Sequence, residues 1–139
     1  MSNKIYPIGI QNFESLRRDG YFYVDKTALI YQMAKTGRYY FLSRPRRFGK
    51  SLLISTIEAY FRGKKELFEG SAIGELEKDW LEYPVLHLDL NIGKYDQPDS
   101  LDKILNEALL GWEALYCTRI GEDTLALRFK GVVNRAYKQ

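Results

Sequence analysis

The chain has 139 residues, 45% of them hydrophobic and 28% charged, with a formal net charge of +3. That is enough chain for one domain with a real core and an ordinary composition for a globular protein, although short for a complete nucleotide-hydrolysing domain. A single cysteine, Cys117, excludes an internal disulfide, and no apolar run approaches the length of a membrane span. With polar residues following Met1, the sequence carries no secretory signal and reads as cytoplasmic.

In chain order, Tyr6-Pro7-Ile8-Gly9-Ile10 is irregular and gives way to a short helix capped by Asn12 and stopped near Gly20. Tyr21 to Val24 reads as a strand or an extended segment. Asp25-Lys26-Thr27 opens a second helix, with Leu29, Ile30, Met33 and Ala34 as its apolar stripe and Gly37 ending it. Asp25 and Thr27 read most simply as N-capping residues. Arg38 to Ser43 is an aromatic and aliphatic run expected to form a buried strand. Ser51 to Phe61 follows as a helix free of Gly and Pro.

Beyond that helix, residues 63–70 form a polar connector with Leu67 and Phe68 tucked inward. Glu75 to Leu81 is expected to make a helical turn or two around Trp80. Pro84 to Asn91 is the second strong strand, continuous enough in apolar character to be buried on both faces of a parallel sheet. A long helix starts between Asp96 and Ser100 and carries Leu101, Ile104, Leu105, Ala108, Leu109, Trp112 and Leu115 on one stripe. A final helix spans Thr124 to Tyr137, with Leu125, Phe129, Val132, Val133 and Ala136 inward. The expected fold is α/β and helix-rich, a partial P-loop-like parallel sheet flanked by helices.

The chemistry concentrates between Arg44 and Ser51, Arg-Pro-Arg-Arg-Phe-Gly-Lys-Ser. Gly49-Lys50-Ser51 is the ending of a phosphate-binding P-loop, placed after an expected strand and before an expected helix. In such a loop the N–H groups at the helix start face the phosphates and the helix dipole adds positive charge. Lys50 would reach the β- and γ-phosphates, and the Ser51 hydroxyl would ligate Mg²⁺. The full pattern has Gly at position 44, where this chain has Arg44 followed by Pro45, so the loop is either a variant P-loop path or a different structure.

Arg44, Arg46, Arg47 and Lys50 place four positive charges in a seven-residue stretch, and removing them from +3 leaves the remainder at −1. A basic focus on one loop favours a compact polyanion over the spread basic face of a general nucleic-acid binder. His87, the one histidine, reads as a core or cleft-edge residue, and one histidine with one distant cysteine gives no metal-site spacing. Asp89 superficially fits the acid of a Walker B strand. The next residue, however, is Leu90 rather than a water-orienting Glu, and the strand follows the loop helix directly. Asp89 is better read as facing a turn or capping the strand end.

Several segments together resemble the N-terminal part of the bacterial AAA-ATPase-like family of ATP-binding proteins. They are Pro7 to Ile10 with Phe13, Tyr23 to Thr27, Tyr40 to Leu52, Glu58 to Phe61 and Pro84 to Asp89. The similarity is strong over residues 5–91 and weaker beyond. Arg-Pro-Arg-Arg-Phe-Gly-Lys-Ser resembles that family's own version of the Walker A loop, which accounts for Arg44. The resemblance implies ATP and Mg²⁺ as ligands and carries over Gly49, Lys50 and Ser51 as phosphate and Mg²⁺ residues; the expected nucleotide-binding stretch is Arg46, Arg47, Phe48, Gly49, Lys50, Ser51 and Leu52, with Ser51 on the metal.

The resemblance further implies that residues 1–139 are a single nucleotide-binding domain, ending about where the family's Walker B strand would begin. The expected function is therefore ATP binding without complete hydrolytic machinery. The alternatives are a nucleic-acid-binding module using Arg44 to Arg47, or an inert protein that self-associates or joins a full-length relative through an exposed sheet edge.

Overall fold

A computed structural model describes residues 5–91 and 96–139, and among these every regular element is helical. The helices are α1 (Phe13–Arg18), α2 (Thr27–Thr36), α3 (Lys50–Phe61), α4 (Ala72–Leu76), α5 (Ser100–Tyr116) and α6 (Leu125–Tyr137), with a 3₁₀ turn over Lys65–Phe68. The chain divides into two compact units, one ending at Val85 and the other beginning at Leu86.

The first unit is built around aromatic rings. Phe13 and Phe68 are fully buried with centroids 4.9 Å apart, and Ile30, Ala59, Tyr60, Leu67 and Ile73 complete the core. Removing each of these phenylalanines from water stabilises the unit by roughly 1.5–3 kcal/mol. Helix α1 begins where the sequence predicts, because the Asn12 Oδ1 accepts the Ser15 N–H at 3.0 Å. Its Phe13 N–H, an orphan donor of the first turn, is taken by Ser55 Oγ of α3 at 2.9 Å. On the far side, Arg17 Nε donates to the Leu67 carbonyl at 2.7 Å and so holds the 3₁₀ turn against α1.

Asp25 and Thr27 do more than cap one helix. One carboxylate oxygen of Asp25 accepts the Thr27 N–H at 2.8 Å and the Thr27 hydroxyl at 2.7 Å. The other accepts the Ala72 N–H at 2.7 Å, and Thr27 Oγ1 accepts the Ile73 N–H at 3.0 Å. The two residues therefore satisfy the starts of both α2 and α4. Desolvation pushes the Asp25 carboxyl upward, but the hydrogen bonds from Thr27 and Ala72 outweigh it and hold its pKa below the ordinary value.

The second unit is a helical hairpin. Ile104 and Leu109 of α5 and Val132 and Ala136 of α6 are its buried apolar residues. Arg128 forks onto Glu113 with two 2.7 Å hydrogen bonds and donates a third to Asn106. Arg135 donates to the Tyr116 carbonyl at 2.9 Å and to Glu122 at 2.7 Å. Thr124 caps α6 by accepting the Leu127 N–H at 3.2 Å.

The expected α/β fold with a P-loop-like parallel sheet is not present: no strand forms among the described residues. Residues 38–43 are irregular, with Tyr39 and Phe41 each 93% exposed, and residues 84–91 are irregular as well. The physical reason lies in where each element finds its hydrogen bonds. A helix closes them within itself, whereas an apolar run becomes a strand only when a neighbouring strand supplies the ladder. Apolar character predicts a strand's burial and says nothing about its partner.

Smaller differences have equally local causes. The helix near Trp80 is displaced to Ala72–Leu76, and Trp80 itself has φ +41°, which no right-handed helix accommodates. Leu29, Leu101, Leu115, Phe129 and Val133, expected on inward stripes, are exposed. His87 is exposed rather than set in a core.

Candidate functional site

The backbone from Arg44 to Gly49 turns sharply into α3. Arg47 (φ +66°) and Gly49 (φ +73°) both adopt left-handed conformations, which Gly49 takes without a Cβ penalty. Gly49 is the N-cap of α3 and brings no capping side chain. The N–H groups of the first turn of α3, in Lys50, Ser51 and Leu52, have no acceptor within the helix.

Lys50 folds back over this turn. Its ammonium donates to the Arg44 carbonyl oxygen at 2.6 Å, with the Pro45 carbonyl oxygen 3.4 Å away. The first and last residues of the loop are thus closed into a ring by one side chain. An ammonium has three donors, so this contact leaves Lys50 with capacity for an incoming acceptor.

The arginines complete the electrostatics. Arg18, Arg62, Arg128 and Arg135 each pair with a carboxylate. Arg44, Arg46 and Arg47 make no ion pair among the described residues, and all three are exposed. Three arginines without ion pairs, together with Lys50, therefore lie in the stretch that leads into a helix N-terminus with no side-chain cap. Mutual repulsion of this kind is relieved by an anion.

The remaining predicted positions sort by exposure. Phe48 is 64% exposed on the loop, and the Ser51 residue in the first turn of α3 is exposed too. Leu52 is half-buried against the core of the first unit, which leaves its N–H as the group it can offer. Asp89 belongs to the second unit, where its Oδ1 accepts the Asn91 N–H at 2.8 Å. That is an Asx turn, the turn-facing role expected of it. Among the described residues no cluster of three or more His, Cys, Asp or Glu side chains could hold a metal ion.

One polar cluster escaped sequence reasoning. Glu77, 8% exposed, accepts the Tyr60 hydroxyl at 2.5 Å and the Lys35 ammonium at 3.1 Å on one oxygen. Its other oxygen accepts the N–H groups of Lys78 at 3.1 Å and Asp79 at 3.3 Å. The Tyr60 hydrogen bond, aided by Lys35 and opposed by burial, holds the Glu77 carboxyl down to about 2. Burial, reinforced by the Glu77 hydrogen bond and charge, pushes the Tyr60 phenol upward. Tyr60 and Glu77 are 17 positions apart, so no local spacing signals the pair.

A profile described as predicted AAA-ATPase (AAA-ATPase-like) matches residues 7–139. The chain is also 42% identical, over 127 residues, to a protein of Azotobacter chroococcum mcd 1 described as an uncharacterized protein in the vnfD 5′ region. That alignment covers 86% of this chain and 24% of the relative, so the chain spans about a quarter of the length of the relative it matches. No solved structure matches the chain. No described helix is long and apolar enough to cross a membrane.

Proposed function

The chain belongs to the predicted AAA-ATPase family, and from that premise we propose that it binds a nucleoside triphosphate, ATP with Mg²⁺, through residues 44–52. The observation that carries this reading is the set of cations without ion pairs, Arg44, Arg46 and Arg47 with Lys50, in the loop that leads into the uncapped N-terminus of α3. Anions are stabilised at such a position by the free N–H groups and by the helix dipole.

The residues fit a triphosphate in kind. Backbone N–H groups of Gly49, Lys50, Ser51 and Leu52 would cradle phosphate oxygens. Lys50 is already bent over the loop by its bond to the Arg44 carbonyl, and it would contribute a point charge. Arg46 and Arg47 would supply forked donors suited to terminal phosphate oxygens. The Ser51 hydroxyl is exposed at the helix start and would give Mg²⁺ one oxygen, with the phosphates and water supplying the others. The bound metal would offset charge between phosphates.

The deciding experiment is calorimetric titration of the chain with ATP, with and without Mg²⁺. Saturable binding strengthened by Mg²⁺ supports the proposal. A second reading draws on the same exposed arginines, which could grip nucleic-acid phosphodiesters. In that case affinity for a single strand would fall steeply with salt and be indifferent to Mg²⁺-ATP competition. A third draws on the exposed run Tyr39 to Leu42, which would show itself as self-association or binding to a longer relative without nucleotide.

A further inference from the structure

We propose that the cleft at the C-terminal end of α3, lined by Tyr60, Phe61, Glu77, Asp79, Trp80 and Tyr83, is a binding site for a small organic ammonium ion. This site is separate from the loop. Tyr60 lies ten residues along α3 from Lys50, a rise of about 15 Å, and the cleft's volume of about 170 Å³ is below the usual range for nucleotide-sized ligands.

Four aromatic rings form its walls in a connected series. Trp80 meets Tyr60 at 75° with centroids 5.9 Å apart. Tyr60 meets Phe61 at 62° and 5.1 Å, and Phe61 meets Tyr83 at 78° and 5.9 Å. Rings set nearly perpendicular to one another make corners rather than a flat stack. Each such contact engages one face of one ring, and the faces left over are the electron-rich surfaces that attract ammonium groups.

The charges of the cleft have the matching sign. Glu77 is fully engaged by Tyr60, Lys35 and two backbone N–H groups. Lys35, which also lines the cleft, balances it, and its ammonium lies 5.2 Å from the centroid of Tyr31, a ring outside the lining. Asp79 has no ion pair among the described residues and leaves the cleft with one uncompensated negative charge. The C-terminal end of α3 adds the negative end of its dipole, and the cation at its C-cap, Arg62, is paired with Glu58 at 2.8 Å.

Trp80 supplies an independent sign of function. A bulky residue at φ +41° is a backbone outlier, and its buried indole N–H has no hydrogen-bond partner among the described residues. Both features cost stability, and such costs concentrate at ligand clamps.

The test uses the full chain carrying Trp112→Phe, so that Trp80 is the sole tryptophan fluorophore. Choline is the cationic probe, and 3,3-dimethylbutan-1-ol is its uncharged counterpart of similar shape. The expected result is a saturable change in Trp80 fluorescence with choline in the millimolar range and binding of the neutral probe at least about tenfold weaker. Asp79→Asn should weaken choline about fivefold, and Tyr83→Leu should weaken it with the circular dichroism spectrum unchanged. Equal binding of the two probes, or no saturation with choline, overturns the proposal. Binding that survives both variants overturns it as well. Loss of ATP binding has no bearing on this result, because Lys50→Ala should leave the choline titration as it is.

Discussion

The ammonium of Lys50 donates to the carbonyl oxygen of Arg44 at 2.6 Å, which closes the loop that precedes α3 with its own first helical residue. The contact joins a side chain to a backbone six positions earlier, so it depends on little outside the loop. It places a positive charge over the turn while Gly49 and Arg47 hold their left-handed conformations. The buried core residues of the same helix, Ala59 and Tyr60, lie toward its other end. Leu52 and Leu53 also pack against that core from the loop end of α3, but the Lys50 ammonium bonds only to loop carbonyls and can be removed without disturbing it.

Lys50→Ala is expected to remove ATP binding, weakening it by about a hundredfold, since a charge-assisted contact contributes roughly 1.5–3 kcal/mol. The fold should persist, because the Lys50 ammonium bonds only to loop carbonyls. Calorimetry measures the first effect and circular dichroism the second. Equal ATP affinity in variant and wild type would remove Lys50 from the site.

Changing Arg46 and Arg47 together to Gln should weaken triphosphate binding more than monophosphate binding. Neither arginine has a carboxylate partner among the described residues, so the substitution breaks no ion pair of the fold. Parallel titrations with ATP and AMP check this. An equal loss for both ligands would assign the arginines a structural role.

Glu77 predicts a particular acid response. Its carboxyl is held from the ordinary 4.5 down to about 2, so the unfolded state binds the proton more readily than the folded state. The corresponding stability is present above about pH 4.5 and is lost as pH falls toward 2. Glu77→Gln should lower stability near neutral pH by about 1–2 kcal/mol and flatten the pH dependence within that window. Urea denaturation at a series of pH values reads both, and an unchanged slope in the variant would place the acid sensitivity elsewhere.

Two glycines should respond to alanine with opposite signs. A Cβ on Gly74 would lie 2.4 Å from the Phe68 carbonyl oxygen, a backbone atom that cannot swing aside. Gly74→Ala should therefore cost about 1–3 kcal/mol as α4 shifts and disturbs Ile73. Gly111, within α5, has nothing within 4 Å of such a Cβ, and Gly111→Ala should stabilise its helix by about 0.5–1 kcal/mol. Thermal or urea unfolding of both variants is the measurement, and destabilisation by Gly111→Ala would show a packing role for that position.

The sequence by itself determined the elements whose bonds are local. Asn12 and Thr124 start α1 and α6 by accepting N–H groups three residues ahead, and Gly37 ends α2. Leu67 and Phe68 are buried where their neighbours are polar, and the Asp89 turn closes over two residues. The start of α3 directly behind the basic loop was equally legible, because Gly49 and the run free of Gly and Pro that follows it are consecutive residues. Tertiary structure decided what depends on distant partners. The apolar runs at 38–43 and 84–91 contain no information about which strand would pair with them, and they form no ladder among the described residues. Asp25 acquires the α4 start 47 positions away, and Glu77 acquires Tyr60 and Lys35. A side chain's reach along its own helix or turn is fixed by backbone geometry, whereas a contact between elements exists only once packing has brought them together.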